Sequence, residues 1–258
     1  MNSASNFWDK MSTAIKSKRG YLSKNIAGIK KQDYLNAVRR WGSYNKGVMV
    51  KTDCFEEYLL TDSFLPECAR NYNEIIACDI SYPVISSAKK NLDNDNCEWL
   101  CADAADLPIK HGSCDLVVSP GTCSYLKTPL SGLKEAYRIL KPEGTLIISI
   151  LNKENVGFFP AKFLNLHPIS SGKGYTREDF ARLLSDSGFE AVESDFILVV
   201  PPLLNNLLLL LERSKLIFNN QLEELTGKVC RQLSRSNKFK RYFSWLIIFK
   251  AIKQREKA

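Results

Sequence analysis

An α/β fold built on a doubly wound, mainly parallel sheet is the architecture this sequence predicts, and three observations predict it. From Gly47 onward, short β-rich runs alternate with segments of helical period. Strand and helix in alternation mean a parallel sheet covered on both faces. Acidic residues recur at the ends of the runs: Asp79 closes EIIACD, Asp103 follows CEWLCAD, and Asp115 opens CDLVVS. Such a sheet binds its ligand outside the carboxyl ends of its strands, where carboxylates can accept hydrogen bonds from ribose hydroxyls and a base.

The elements follow in order. Residues 1–45 are polar and helical in period, with Phe7, Trp8, Met11 and Ile15, then Tyr34, Leu35, Val38 and Trp41, as apolar stripes. They predict a helical cap on a domain spanning 46–258. VMVK, EIIAC, CEWLCA, DLVVS and TLIISIL read as strands, and YPVISSAKKNL and PLSGLKEAYRIL as amphipathic helices between them. A loop rich in Gly, Pro and Ser runs from Lys153 to Tyr175. Thr176 then N-caps a helix with Asp179 at its third position, a variant capping box, and Gly188 ends it. FEAVESDFILVV and YFSWLIIFKAI complete seven strands, separated by a helical insertion at about 199–240. Within it, Leu207 to Leu211 wrap more than one helical turn and cannot all face one core. They suit a buried helix, a lid over an apolar acceptor, a dimer contact or a shallow membrane dip.

Charge and cysteine usage narrow the class. With 36 Lys and Arg against 28 Asp and Glu, the formal charge is +8. The basic residues crowd the first helices and the last third, a pattern that a solvated helical face explains; they do not interleave with aromatics along a groove, so no nucleic acid is expected. Six of the eight cysteines (Cys54, Cys78, Cys97, Cys101, Cys114 and Cys123) lie in or beside apolar runs and read as reduced core thiols. Cys97 and Cys101 lack a second pair at zinc-site spacing, so no metal is expected. The N-terminus shows no secretory pattern, and a reducing cytoplasm is the expected compartment, with a peripheral membrane contact as a variant.

Four segments, ACDIS before a helix, CADAADLPIKHGSCDLVVS, EAYRILKPEGTLIIS and YTREDFARLLSDSGFE, resemble in order and spacing the signature segments of the class I S-adenosylmethionine-dependent methyltransferases of the small-molecule type. The resemblance implies a Rossmann-like sheet with an antiparallel last strand and S-adenosylmethionine as cofactor. It also implies site residues. Asp79 would accept both ribose hydroxyls, and Asp103 with the Ala104 N–H would read the adenine edge. Ile80 and Leu107 would pack on its faces. Ser119 opens the segment SPGTCSYL, the loop expected to touch cofactor and acceptor, and Asp115 would be structural.

The first loop departs from the family pattern, because Thr52, Asp53, Cys54 and Phe55 stand where glycines let the backbone approach the methionine portion. Two outcomes are open: Asp53 holds the cofactor's ammonium in a rebuilt loop, or the loop closes the site and leaves a fold without chemistry. Methyl transfer from a sulfonium mainly requires alignment and exclusion of water, so no catalytic group is strictly needed. A hydroxyl acceptor would gain from a base; of the two histidines, His111 reads as a surface turn and His167 is the candidate, with Tyr125 and Tyr175 as lesser candidates for contacting the acceptor. The expected activity is methylation of a small molecule (lipid, sugar-linked or secondary metabolite), at oxygen rather than nitrogen or carbon. A catalytically silent protein that binds a partner or a membrane is the alternative.

Overall fold

The computed structural model describes residues 3–17, 21–42, 47–92, 96–163, 172–213 and 220–255; His167 lies outside them. Two helices come first, α1 (Ser3–Ser17) and α2 (Lys24–Trp41), the second capped by Ser23, whose hydroxyl accepts from Ile26 N–H at 3.3 Å. Then come β1 (Val48–Thr52), α3 (Phe55–Leu59), α4 (Leu65–Cys68), β2 (Glu74–Asp79), α5 (Tyr82–Asn91) and β3 (Cys97–Cys101). The middle of the chain forms β4 (Cys114–Pro120), α6 (Pro129–Ile139), β5 (Leu140–Asn152), α7 (Phe158–Phe163) and β6 (Gly174–Tyr175). The rest is α8 (Arg177–Asp186), β7 (Phe189–Val199), α9 (Pro202–Arg213), α10 (Asn220–Leu233), α11 (Asn237–Phe243) and β8 (Ser244–Lys253).

The sheet runs β3-β2-β1-β4-β5-β8-β7, the seven expected strands, with the two-residue β6 beside β5 off this path. The strands from β3 to β5 are parallel, and β8 is antiparallel to both its neighbours, β5 and β7. A last strand of that direction lets β8 fill the gap between β5 and β7 after the α9–α11 segment has run back over the carboxyl edge.

Strand parity sorts the core into two layers. Met49, Leu116, Val118, Ile147 and Ile248 face α2 and α5, meeting Tyr34, Leu35, Val38, Val84, Ile85 and Ala88. Their neighbours Val50, Val117, Leu146, Ile148 and Phe249 face α6 and α8, meeting Leu133, Ile139, Phe180 and Leu184. The α8 cap is as the sequence predicts: Thr176 Oγ1 accepts from Asp179 N–H at 3.1 Å, and Gly188 takes a φ of 93° just past the helix. Asp115 is structural, accepting from Val48 N–H at 2.8 Å and from Lys141 at 2.8 and 2.9 Å, which ties the starts of β1 and β5 to β4.

One expectation fails at the sheet edge. Cys101 is exposed and Cys97 half-buried, because β3 is an edge strand paired with β2 alone, whereas Cys54, Cys78, Cys114 and Cys123 are buried. The leucine run of α9 splits by face: Leu208 and Leu209 are buried, and Leu207 and Leu210 are exposed.

Candidate active site

The parallel register brings the ends of the strands level, with Thr52 beside Cys78 and Asp79 beside Cys101. A cavity of about 780 Å³ lies along this carboxyl edge. That volume falls within the range of small-molecule and cofactor pockets. Thr52, Asp53, Asp79, Ile80, Asp103 and Ala104 all line it, so most of the residues singled out in the sequence meet in one space. Ser119 does not line it; Ser119 is buried behind Thr52, whose hydroxyl donates to Ser119 Oγ at 2.9 Å. Thr122, two residues past the end of β4, reaches the wall instead and donates from its hydroxyl to the Thr52 carbonyl. Leu107 is buried in the α6 layer away from the cavity, where its N–H donates to Glu135 at 2.7 Å. Tyr175 also lies outside, packed on Phe180, while Tyr125 is in the wall.

Asp79 is not simply exposed. Oδ2 accepts from Cys54 N–H and Oδ1 from Ser81 N–H, both at 2.9 Å. A carboxylate has about four acceptor positions, so two remain for a diol. Burial pushes its pKa up to about 6, against the opposing pull of those two N–H groups. Asp103 Oδ1 accepts from Ala105 N–H at 2.9 Å, a turn that presents the residues after β3 to the cavity.

The glycine-free turn is where the structure adds most. The left-handed strain falls on Asp53, with a φ of 142°, while Phe55 simply begins α3. That placement is held from three sides. Asp53 N–H donates to Cys78 O at 2.8 Å, Phe55 N–H donates to Asp53 Oδ1 at 2.8 Å, and Lys51 Nζ donates to the Asp53 carbonyl. The side-chain hydrogen bond of Asp53 uses Oδ1 alone. Burial, then Glu56 and Asp79 nearby, push its pKa well above the usual carboxylate range.

Under the turn lies a buried ion network that sequence reading missed. Lys51 is fully buried and reaches Glu56 at 2.9 Å and Glu57 at 2.7 Å. Lys30, from α2, reaches Glu56 at 2.9 Å, Asp62 at 2.8 Å and the Tyr21 hydroxyl at 2.9 Å. Burial alone would lower the pKa of Lys30 and Lys51, but the carboxylates prevail and hold both well above the ordinary lysine value. Burial would likewise raise Glu56, yet the two lysines bring it down to about 2. Two cations therefore face three carboxylates, before Asp53 and Asp79 are added. The signal was present: a lysine within an apolar strand, with two adjacent acids in the run CFEEYLL, calls for mutual burial.

Comparison with known proteins adds the following. Residues 60–148 match the family described as a methyltransferase domain. Over 96 residues the chain is 33% identical to a malonyl-[acyl-carrier protein] O-methyltransferase of Marinomonas sp. (strain MWYL1), covering 37% of this chain and 33% of that protein. Over 145 residues it is 25% identical to the mitochondrial 2-methoxy-6-polyprenyl-1,4-benzoquinol methylase of Caenorhabditis elegans, covering 46% and 51%. The chain thus spans a third to a half of these relatives' lengths. Among solved structures, the [4+2]-cyclase SpnF superposes with a TM-score of 0.63 at 15% identity, over 88% of this chain and 81% of that one. Phosphoethanolamine N-methyltransferase 2 of Haemonchus contortus, in complex with S-adenosyl-L-methionine, gives a TM-score of 0.59 at 16% identity, over 87% and 53%.

Proposed function

Because the chain belongs to the class I S-adenosylmethionine-dependent methyltransferase family, we propose that it transfers a methyl group from S-adenosylmethionine to a small-molecule acceptor. The observation that carries this reading is the single cavity in which Asp53, Asp79 and Asp103 converge at the ends of neighbouring strands. Asp79 keeps acceptor capacity for the ribose diol, Asp103 and the Ala104 backbone stand at the adenine end, and Ile80 offers an apolar edge. Asp53, which lines the cavity, would pair with the ammonium, and the excess of carboxylates around Lys30 and Lys51 favours a ligand that carries cationic groups.

S-adenosylmethionine supplies an electrophilic methyl on a sulfonium. The protein's task is alignment and exclusion of water. Thr122, closing the gap between β1 and β4 through its bond to the Thr52 carbonyl, fixes the floor where the reacting groups would meet. Tyr125, in the wall nearby, is pushed up by burial and stays protonated at neutral pH, so it can donate to an acceptor oxygen but not take its proton. His167 is retained as the proposed base.

Oxygen as the methylated atom draws support from the relatives named as O-methyltransferases. A lipid, sugar-linked or secondary-metabolite acceptor and a cytoplasmic setting with peripheral membrane contact complete the reading; no helix among the described residues is long and apolar enough to cross a membrane. The competing reading, a methyltransferase-fold protein that performs no methyl transfer, is favoured by the glycine-free turn and by the [4+2]-cyclase that shares this fold. Calorimetric titration with S-adenosylhomocysteine decides between them. Stoichiometric binding supports the proposal, and a folded protein that binds neither it nor S-adenosylmethionine refutes it.

A further inference from the structure

The cavity changes character along the strand order. Over β3, β2, β1 and β4 its wall is polar, with Asp103, Asp79, Asp53, Thr52 and Thr122. Over β5, β8 and β7 it is Leu151, Trp245, Leu246, Leu198 and Val200. Leu22, just before α2, and Ile26 of α2 roof this second half, while α1 lies toward α5, with Lys16 bonded to Ser87, and its Trp8 meets Tyr125 edge-on at 5.0 Å between ring centroids. It opens between Val156 and Leu203, which are 51% and 80% exposed.

The charged groups in the wall all belong to the polar half. Asp53, Asp79, Asp103 and Lys127 follow β1 to β4, Glu56 sits on α3, and Lys30 is bonded to Glu56. Among the described residues that line the cavity, none contributed by β5, β8 or β7 is charged; Asp33, behind Leu198, accepts from its N–H at 2.8 Å and is not in the wall. Asn205, which lines that half, is already engaged: Oδ1 accepts from Ser23 N–H at 3.0 Å and Nδ2 donates to Tyr21 O at 3.1 Å. Asn206 beside it is exposed and lines the cavity as well. A charged or polyhydroxylated guest there would lose its water and gain few partners, whereas an apolar one gains from its own burial.

Resting on the methyltransferase reading above, we infer that the space over β5, β8 and β7 is the acceptor chamber and that the acceptor is a neutral molecule with an apolar body, alkyl or aryl, its nucleophilic atom turned toward β4. Of the acceptor classes proposed above, a lipid or an apolar secondary metabolite fits this wall, and a sugar-linked or ionic one does not. The chamber lies apart from the acids, so cofactor and acceptor occupy the two halves of one cavity together.

The neutral dye N-phenyl-1-naphthylamine tests this, because Trp8 and Trp245 in the wall report its arrival by energy transfer. The dye should bind saturably, equally well with S-adenosylhomocysteine present, and should be displaced by 1-decanol but not by sorbitol. Leu203→Glu, at an exposed position that spares folding, should weaken the dye tenfold or more and leave S-adenosylhomocysteine affinity unchanged; Leu203→Met should bind both as the parent does. Absence of saturable dye binding, displacement of the dye by S-adenosylhomocysteine, or indifference to Leu203→Glu overturns the inference. Dye binding in a parent protein that fails to bind S-adenosylhomocysteine overturns the methyltransferase reading and the acceptor role with it, leaving an apolar site of another purpose.

Discussion

Replacing Lys30 with Met removes the ion pairs through which α2 holds the helix that follows the β1 turn. The Lys30 ammonium is 5% exposed and satisfies Glu56 and Asp62, themselves 3% and 2% exposed, together with the Tyr21 hydroxyl. Methionine matches its length and apolar stem but leaves two buried carboxylates with less compensation. Breaking a buried pair in this way costs about 3–5 kcal/mol. At about 2–4 °C of midpoint per kcal/mol for a chain of this size, the thermal midpoint should fall by about 6–20 °C. The sign of the pH dependence is a second check. Lys30 helps hold Glu56 down to about 2 against its burial, and the stability which that depression supplies is complete only above the ordinary carboxylate range, so its loss tells most at neutral pH and above. The deficit should therefore be larger at pH 8 than at pH 5, and Lys30→Met combined with Asp62→Asn should recover part of it. Differential scanning calorimetry at the two pH values, on parent, single and double variants, measures all of this. A midpoint within about 2 °C of the parent at both pH values would show that the network contributes nothing, and the account of the turn would fall with it.

Three further outcomes are expected. Burial pushes Asp79 up to about 6, so if its ionised form accepts the ribose hydroxyls, S-adenosylhomocysteine affinity should rise about fivefold between pH 5 and pH 6 and about tenfold by pH 7, levelling off above that; calorimetry showing a flat profile, or the same slope in Asp79→Asn, would exclude that role. Asp53→Gly removes a side chain from a φ of 142° and should stabilise the fold by about 1 kcal/mol, yet weaken S-adenosylmethionine more than 5′-methylthioadenosine, which lacks the amino-acid end; equal losses for both ligands would count against the ammonium contact. Asn152→Ala strips the start of β8 of bonds to Arg241 O at 2.7 Å and to Ser244 O and Oγ at 3.0 and 2.9 Å, and urea titration should show a loss of about 1–3 kcal/mol, a value near zero being the refuting one.

The fold was legible because its signals are local. Periods of two and of 3.6 in runs such as DLVVS and PLSGLKEAYRIL, the Thr176 cap and Gly188 each depend on a few adjacent residues. The strand-end acids were legible for the same reason, since a parallel register carries Asp79 and the residues after Cys101 to one edge without further information. What sequence did not reveal depends on distance along the chain. Lys30 meets Glu56 across 26 positions and Asp62 across 32. Ser119 was misplaced because the side chain of a strand's penultimate residue points behind Thr52, and the turn that follows brings Thr122 forward instead. Cys101 was misread because composition alone does not tell an edge strand from a central one.

The turn without glycines follows from these separations. A glycine at position 53 would adopt the positive φ freely; aspartate does so at a cost of about 1–3 kcal/mol. The strain persists because the surrounding groups allow no other arrangement: Lys51 holds the Asp53 carbonyl, Phe55 N–H holds its carboxylate, and Glu56 and Glu57 anchor α3 to Lys51 from below. The substitution also adds what a glycine loop lacks, a carboxylate within the cavity at the end of β1. Because Glu56 is shared between Lys51 of the sheet and Lys30 of α2, the geometry of the turn depends on the docking of a helix whose Ile26 roofs the apolar half of the same cavity. A displacement of α2 would therefore strain or relax the ion network beneath Asp53, so the two halves of the cavity are tied to each other through Lys30.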